Sequence, residues 1–257
     1  MLDRLRVLAQ TSSHRAHVPY SGRPVGAAVL LSDGRWTAAP RIENASFPLT
    51  IPAVQGALAL AALAGGAPAA VALSRPLTRG ERAHMEDTAP GPWREEAPDV
   101  LVQDGALPVE IGSAVALSRD LPPPPDGPAG TALAYAAAEE AVVPASGFRV
   151  GAAVVDDAGR IAVGANVEQT ADWTRGLCAE RTALVRAVAA GFGPIRQVFV
   201  ACASAPGGTP CGGCRQVIAE LAFDADVVVW RGVGEDPLTT TVADLLPGAF
   251  RGERLTS

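Results

Sequence analysis

Cys178-Ala179-Glu180 and Pro210-Cys211-Gly212-Gly213-Cys214 are the stretches on which the reading of this chain turns. Together they supply three thiols and one carboxylate. Three thiolates can hold a zinc ion and leave its fourth position open for water, which is how catalytic zinc sites are built. Glu180 follows the first thiol by two residues, close enough to touch that water without binding the metal. A C-x-x-C pair alone also fits a redox dithiol or half of a structural zinc knuckle. A structural site usually has a fourth Cys or His. The remaining cysteine, Cys202, ends an apolar run over 198–202 that reads as a buried strand, so it is expected in the core. Cys178, Cys211 and Cys214 are the expected zinc ligands, and Glu180 the expected catalytic acid–base.

The local pattern supports that grouping. Residues 178–190 and 212–221 read as helices, with Cys178 at the start of one and Cys211 and Cys214 at the start of the other. Spaced three apart, Cys211 and Cys214 share a helical face. Helix starts present free N–H groups and a positive dipole end, a field that favours thiolates. Three thiolates on one zinc leave a net negative charge. Arg181 is placed to offset it, or is simply a surface residue.

Working outward, the chain contains itself twice. Val25-Gly26-Ala27-Ala28-Val29 recurs as Val150-Gly151-Ala152-Ala153-Val154. A turn precedes each, Pro19-Tyr20-Ser21-Gly22 and Pro144-Ala145-Ser146-Gly147. An acidic loop follows each, Ile42-Glu43-Asn44 and Val167-Glu168-Gln169. Asp99-Val100-Leu101-Val102 matches Asp226-Val227-Val228-Val229, and the separation grows from 125 residues (Val25 to Val150) to 127 (Asp99 to Asp226). Four matches in one order indicate an internal duplication. The expected division is a first domain over 1–120, a proline-rich spacer over 121–129 and a second domain over 130–257. In the first copy Pro52 stands where Cys178 stands in the second, Val54 where Glu180 stands, and no cysteine occurs at all. The first copy is expected to be a scaffold without a metal site.

Composition bounds the rest. The 257 residues are 48% hydrophobic and 19% charged, with a net charge of −6, which describes a globular chain with ample core. Every basic residue is Arg. The acidic balance and the lack of a basic stripe argue against a nucleic-acid partner. No apolar run is long enough to span a bilayer, no secretion signal is expected, and cysteines committed to metal fit a reducing cytoplasm. Strands are expected over 25–31, 35–39, 69–73, 100–102, 150–155, 161–164, 198–202 and 227–230. Further helices are expected over 2–16, 48–64, 131–142 and 242–246. The polar stretch 75–98 reads as irregular, with its charge run 79–87 as a solvated helix or loop. Asp156-Asp157-Ala158-Gly159 reads as a hairpin turn and not as metal ligands.

These motifs carry a family resemblance. From Phe148-Arg149-Val150-Gly151-Ala152-Ala153 through Asn166-Val167-Glu168, the two cysteine motifs with Arg215-Gln216, and Leu245-Leu246-Pro247-Gly248-Ala249-Phe250, the second copy resembles cytidine deaminase. A first thiol followed by Glu and then P-C-x-x-C is also the general signature of zinc nucleobase deaminases. The resemblance implies two tandem three-layer α/β/α domains, each a mixed sheet flanked by helices. It implies zinc-dependent hydrolysis of cytidine and 2′-deoxycytidine to the uracil nucleosides and ammonia, in pyrimidine salvage. It implies that Asn166 and Glu168 hold the ribose hydroxyls, that Phe148 packs on the pyrimidine, and that the Ala179 backbone and Glu180 read the base edge. A phosphate would be repelled by Glu168, which favours a nucleoside substrate.

The second copy also departs from the family. The family reads N-V-E-N-A-S-Y before the first ligand; here it is Asn166-Val167-Glu168-Gln169-Thr170-Ala171-Asp172-Trp173, with one extra residue. The pattern survives instead in the first copy as Glu43-Asn44-Ala45-Ser46-Phe47. In related tetrameric deaminases this loop enters a neighbour's site. The expectation is that the first copy lends Ala45, Ser46 and Phe47 to the second, within the chain or across a dimer, with Phe250 a further candidate for closing a site. Trp173 is either a substrate wall or a drifted surface residue. Two fused copies imply a homodimer that mimics a four-domain assembly. Two other readings stay open: a deaminase of a related cytosine nucleoside or antibiotic, and a non-catalytic zinc-binding scaffold in which Glu180 is dispensable.

Overall fold

The computed structural model describes residues 1–116, 127–252 and 255. They fall into two compact units. Unit 1 comprises Met1–Ile42, Ile51–Ala116 and Gln169–Gly176; unit 2 comprises Glu43–Thr50 with the described residues of Leu117–Glu168 and Leu177–Ser257. Each unit thus contains one short segment that the duplication assigns to the other copy.

Unit 1 runs α1 (Leu2–Ser13), β1 (Gly26–Leu31), β2 (Trp36–Pro40), α2 (Ala53–Leu63), β3 (Pro68–Leu73), α3 (Arg79–Thr88), β4 (Trp93–Ala97) and β5 (Val100–Gln103). Its sheet has the order β2-β1-β3-β5-β4. Every pairing in it is antiparallel. Leu5 and Ala9 of α1 pack on Ala28, Leu30, Ala70 and Ala72 on one face. On the other face the Thr37 hydroxyl donates to the Ala57 carbonyl of α2 (2.8 Å). Residues 53–61 of α2 are all buried, as its nearly unbroken apolar sequence requires.

The charge run forms α3, a helix and not a loop. Thr78 accepts from the Glu81 N–H while Glu81 accepts from the Thr78 N–H, a capping box written as T-x-x-E. The helix is only half solvated, because His84 and Met85 are buried.

Unit 2 contains α4 (Gly127–Ala138), β6 (Val150–Asp156), β7 (Ile161–Ala165), α5 (Ala179–Ala190), β8 (Ile195–Cys202), α6 (Gly212–Leu221), β9 (Asp226–Val229), β10 (Leu238–Thr241) and α7 (Val242–Leu245). The sheet order is β10-β9-β8-β6-β7. Here β8 and β9 are parallel, because α6 carries the chain back across the sheet between them. Alternation along β6 separates the layers: Ala152 and Val154 face α5 and α6, whereas Ala153 and Val155 face α4.

The duplicated Val-Gly-Ala-Ala-Val run has a packing cause. A Cβ on Gly26 would lie 2.1 Å from the Ala9 carbonyl of α1, and one on Gly151 would lie 1.9 Å from the Ala134 carbonyl of α4. Each glycine lets a helix settle onto an inner strand, β1 or β6, at backbone contact.

Several expectations change. The fourth repeat match fails topologically: β5 and β9 hold the same place in their sheets, but β5 runs antiparallel to β3 while β9 runs parallel to β8. In unit 1 the chain reaches β5 through the hairpin partner β4, which reverses it. Consequently only the unit 2 sheet is mixed. Strands β4 and β10 escape a pattern search because they are polar edge strands whose pairing, not whose hydrophobicity, defines them. The helix expected over 131–142 starts earlier, at Gly127, with Pro128 in its first turn. Of the spacer expected over 121–129, residues 121–126 lie outside the described residues, and 127–129 belong to α4. Asp156 forms the expected hairpin turn, accepting from the N–H groups of Ala158 (3.0 Å) and Arg160 (2.8 Å).

Candidate active site

Cys178 is the N-cap of α5 and Cys211 the N-cap of α6, with Cys214 in the first turn of α6. Their Sγ atoms all lie within 4.8 Å of one another. The Cys178 and Cys211 sulfurs are 4.0 Å apart. Zinc–sulfur bonds near 2.3 Å in a tetrahedron set sulfurs about 3.8 Å apart, so this donor set fits a zinc ion. Among the described residues no His or further Cys joins the cluster. Cys202 is buried in β8 as core.

Glu180 belongs to the first turn of α5 and is 3% exposed. Burial pushes its carboxyl up, while its own backbone N–H, the Cys214 thiol and the Arg181 charge pull the other way. The Arg181 Nε is buried with no hydrogen-bond partner among the described residues. The sulfurs share charge unequally. Cys211 is pulled down to about 2, first by the Cys178 and Cys214 thiols and then by the N–H groups of Cys214 and Gly213. Cys178 is pushed up to about 12, chiefly by Cys211. A divalent cation removes that conflict, because coordination takes all three sulfurs as thiolates.

The start of α5 is held tightly. The Thr182 hydroxyl lies 2.8 Å from the Ala165 carbonyl of β7 and 2.9 Å from the Ala179 carbonyl, and the residue is fully buried. A Cβ on Gly164 would lie 2.3 Å from the Ala183 nitrogen, so helix and strand meet backbone to backbone. The PCGGC turn is held by Arg215, whose Nε donates to the Pro210 carbonyl (2.7 Å) and whose NH1 donates to the Leu245 carbonyl (2.9 Å).

The expected substrate residues form a second group, joined to the first by a short bridge. Val167 and Leu177 exchange two backbone hydrogen bonds of 2.9 Å. Asn166 and Glu168 therefore flank the partner of the residue that precedes Cys178. The Asn166 side chain accepts from the Val150 N–H (2.9 Å) and donates to the Phe148 carbonyl (2.8 Å), which braces the turn carrying Phe148. Phe148 itself is 45% exposed. Glu168 accepts from the N–H groups of Ala145 (3.0 Å) and Ser146 (3.1 Å) and from the Ser146 hydroxyl. Burial alone would raise its pKa, but those donors outweigh it and hold the carboxyl below its usual range.

Two family models, both described as the cytidine and deoxycytidylate deaminase zinc-binding region, match residues 129–230 and 2–74. A cytidine deaminase of Sporosarcina psychrophila is 43% identical over 119 residues, spanning 46% of this chain and 87% of the relative. Another, from Halalkalibacterium halodurans, is 43% identical over 121 residues, spanning 47% of this chain and 90% of the relative. The chain belongs to the cytidine deaminase family. A solved cytidine deaminase from Burkholderia pseudomallei is 40% identical and covers 49% of this chain and 99% of its own, with a TM-score of 0.45. The match over 129–230, described as a zinc-binding region, contains all three cysteines and Glu180.

The match over 2–74 falls on a deaminase half that lacks the metal donors. Pro52 is the N-cap of α2 where Cys178 is the N-cap of α5. Unit 1 uses that place differently. Gln55 donates to the Arg175 carbonyl (2.9 Å), and the Arg175 guanidinium pairs with Asp87 (3.1 Å) and Asp172 (3.1 Å). Trp173, on the same segment, is 64% exposed.

Within unit 2, the cysteine cluster shares α6 with residues 43–50. The Asn44 Nδ2 donates to the Gln216 carbonyl (3.3 Å), and the Ala45 N–H donates to Glu220 (3.0 Å). Leu49 packs with the core beneath the site, and a Cβ on Gly213 would come 3.3 Å from it. Ala45 is buried, Ser46 half-buried and Phe47 83% exposed. The Phe250 carbonyl accepts from the Gln216 side chain (2.7 Å), and Phe250 is 44% exposed.

Sequence reasoning missed Thr182, Gly164, Asn44 and Gln216. One signal was available: a glycine inside a strand, such as Gly164, marks close backbone approach. The partnership of Asn44 with Gln216, 172 residues apart, left no local trace.

Proposed function

We propose that the chain hydrolyses cytidine and 2′-deoxycytidine to uridine and 2′-deoxyuridine with release of ammonia, as a step of pyrimidine salvage. One observation carries the reading: three thiols positioned for zinc, with a buried carboxyl in the first turn of the helix that Cys178 caps. When bound, zinc supplies Lewis acidity, which lowers the pKa of a water so that hydroxide is available near neutral pH.

Glu180 carries the proton. Its carboxylate takes it from the water, delivers it to the ring nitrogen beside C4, and then serves the departing amine, alternating as base and acid. Low exposure keeps bulk water from competing for that proton. The Ala179 backbone, at the first position of α5, reads the base edge together with Glu180. Arg181 offsets the charge of three thiolates. Phe148 lies along the pyrimidine, and Asn166 and Glu168 take the ribose hydroxyls. A carboxylate at that end disfavours a phosphate and so selects nucleosides.

Residues 130–257 are read as the catalytic domain and 1–120 as a scaffold that lends one segment. Ala45, Ser46 and Phe47 are read as completing the site within the same chain, a reading supported by the packing of Glu43–Thr50 in the unit that holds the cysteines. Phe250 closes the site from the C-terminal segment. The assembly is read as a homodimer of four related domains, and the compartment as cytoplasm. Among the described residues no helix is long and apolar enough to cross a membrane.

The test is an ultraviolet assay with cytidine beside metal analysis. Wild-type protein should bind one zinc per chain and turn over cytidine, and Glu180→Gln should keep the zinc and lose turnover. Zinc-free active protein, or a fully active Glu180→Gln variant, refutes the reading.

A further inference from the structure

Resting on that catalytic reading, we infer that Gln216 is a positioning residue that ties both flanking segments, 44–47 and 247–250, to the helix bearing two of the thiols. Two faces of α6 divide the tasks, the thiols and the core residues sharing one of them along its length. Cys211 and Cys214 face the metal cluster. Val217 and Ile218 face the core. Gly213, Gln216 and Glu220 take residues 44–49.

Gln216 is 9% exposed, and its single amide meets both segments. Its Nε2 donates to the Phe250 carbonyl (2.7 Å) and lies 3.5 Å from the Asn44 Oδ1. Its backbone carbonyl accepts from the Asn44 Nδ2 (3.3 Å). Asn44 is 3% exposed, and its Oδ1 also accepts from the Ser46 N–H (2.8 Å), which shapes the turn presenting Phe47.

Phe47 and Phe250 are not held by burial of their own rings, being 83% and 44% exposed. Their backbones are instead placed by the amide pair. The chemistry asks for an amide at Gln216. Its NH2 meets two acceptor oxygens, whereas a carboxylate of the same shape would turn acceptor against acceptor in a buried place.

The experiment compares wild type, Gln216→Glu and Asn44→Ala by cytidine kinetics, zinc content and hydrogen exchange. Gln216→Glu should raise KM roughly ten-fold while kcat falls by about two-fold or less, the scale of one lost buried hydrogen bond. Its zinc content should match wild type, and amide exchange should quicken over both 45–50 and 247–251. Asn44→Ala should quicken exchange over 45–50 alone, with a smaller rise in KM. Unchanged KM or unchanged exchange in Gln216→Glu overturns the inference, and so does zinc loss that accounts for the kinetic defect. If Gln216→Glu fails to fold, Asn44→Ala decides by the same two readouts. Exchange needs no turnover, so it judges the tether separately from the substrate: wild-type protein inert towards cytidine counts against the catalytic reading alone.

Discussion

Gly151 lies beneath the carbonyl of Ala134 so closely that a first side-chain carbon there would sit 1.9 Å from the oxygen. That contact fixes the spacing of α4 from β6 in unit 2. Gly151→Ala should therefore force the helix outward and destabilise the unit by about 3 kcal/mol, the upper range for overpacking. Gly26→Ala should do the same in unit 1, where the corresponding gap is 2.1 Å. Denaturant midpoints equal to wild type in both variants would show that the helices yield freely.

Glu180→Gln removes the proposed proton carrier and keeps the shape. Loss of general acid–base catalysis costs roughly 100- to 10,000-fold in rate, so kcat should fall by at least two orders of magnitude. Zinc content should stay near one per chain by metal analysis.

Phe47→Ala should raise KM for cytidine several-fold with little change in thermal stability, because the ring is 83% exposed and supports no core. A steady-state comparison checks it, and an unchanged KM would remove residues 45–47 from the site.

Zinc removal should act on fold as well as rate. Without the cation, three sulfurs lie within 4.8 Å of one another with nothing to bridge them. Chelation should abolish turnover and lower the melting temperature, and added zinc should restore both. A melting temperature indifferent to chelator would separate the metal from unit 2 stability.

His84 supplies a pH signature for unit 1. Burial first, and then the Arg175 charge, lower its pKa from 6.5 to about 4, against the opposing pull of Asp87, Asp172 and Glu81. Between those values the unfolded chain binds a proton that the folded chain refuses, so stability rises with pH across that window. The full effect is on the order of 3 kcal/mol, lost as pH falls from 6.5 towards 4. His84→Gln should flatten that part of the stability–pH curve measured by denaturant titration; an unaltered curve would falsify the assignment.

Much of the site was legible because its chemistry is local. Cys211 and Cys214 are three residues apart at one helix start, and Cys178 and Glu180 share one turn, so spacing made each motif visible and the known deaminase signature joined the two. The match of Val25-Gly26-Ala27-Ala28-Val29 to its second copy was legible for a similar reason: backbone contact between helix and strand tolerates only glycine at one place. The match of residues 99–102 to 226–229 misled, because an apolar run states burial and not direction. Strands β4 and β10 stayed hidden, since edge strands keep a polar surface.

The amino-acid sequence by itself determined the two cysteine motifs, the acid two residues after the first of them, the repeated segments and the absence of thiols from the first copy. These are matters of residue identity and short spacing, which any fold must respect. Only the tertiary structure decided that Glu43–Thr50 packs with the cysteine-bearing unit, that Gln169–Gly176 packs with the other, and that β5 runs against β3. Such choices depend on which distant surfaces bury apolar area and satisfy buried amides together, as Asn44 and Gln216 do across 172 residues, and no local pattern encodes them.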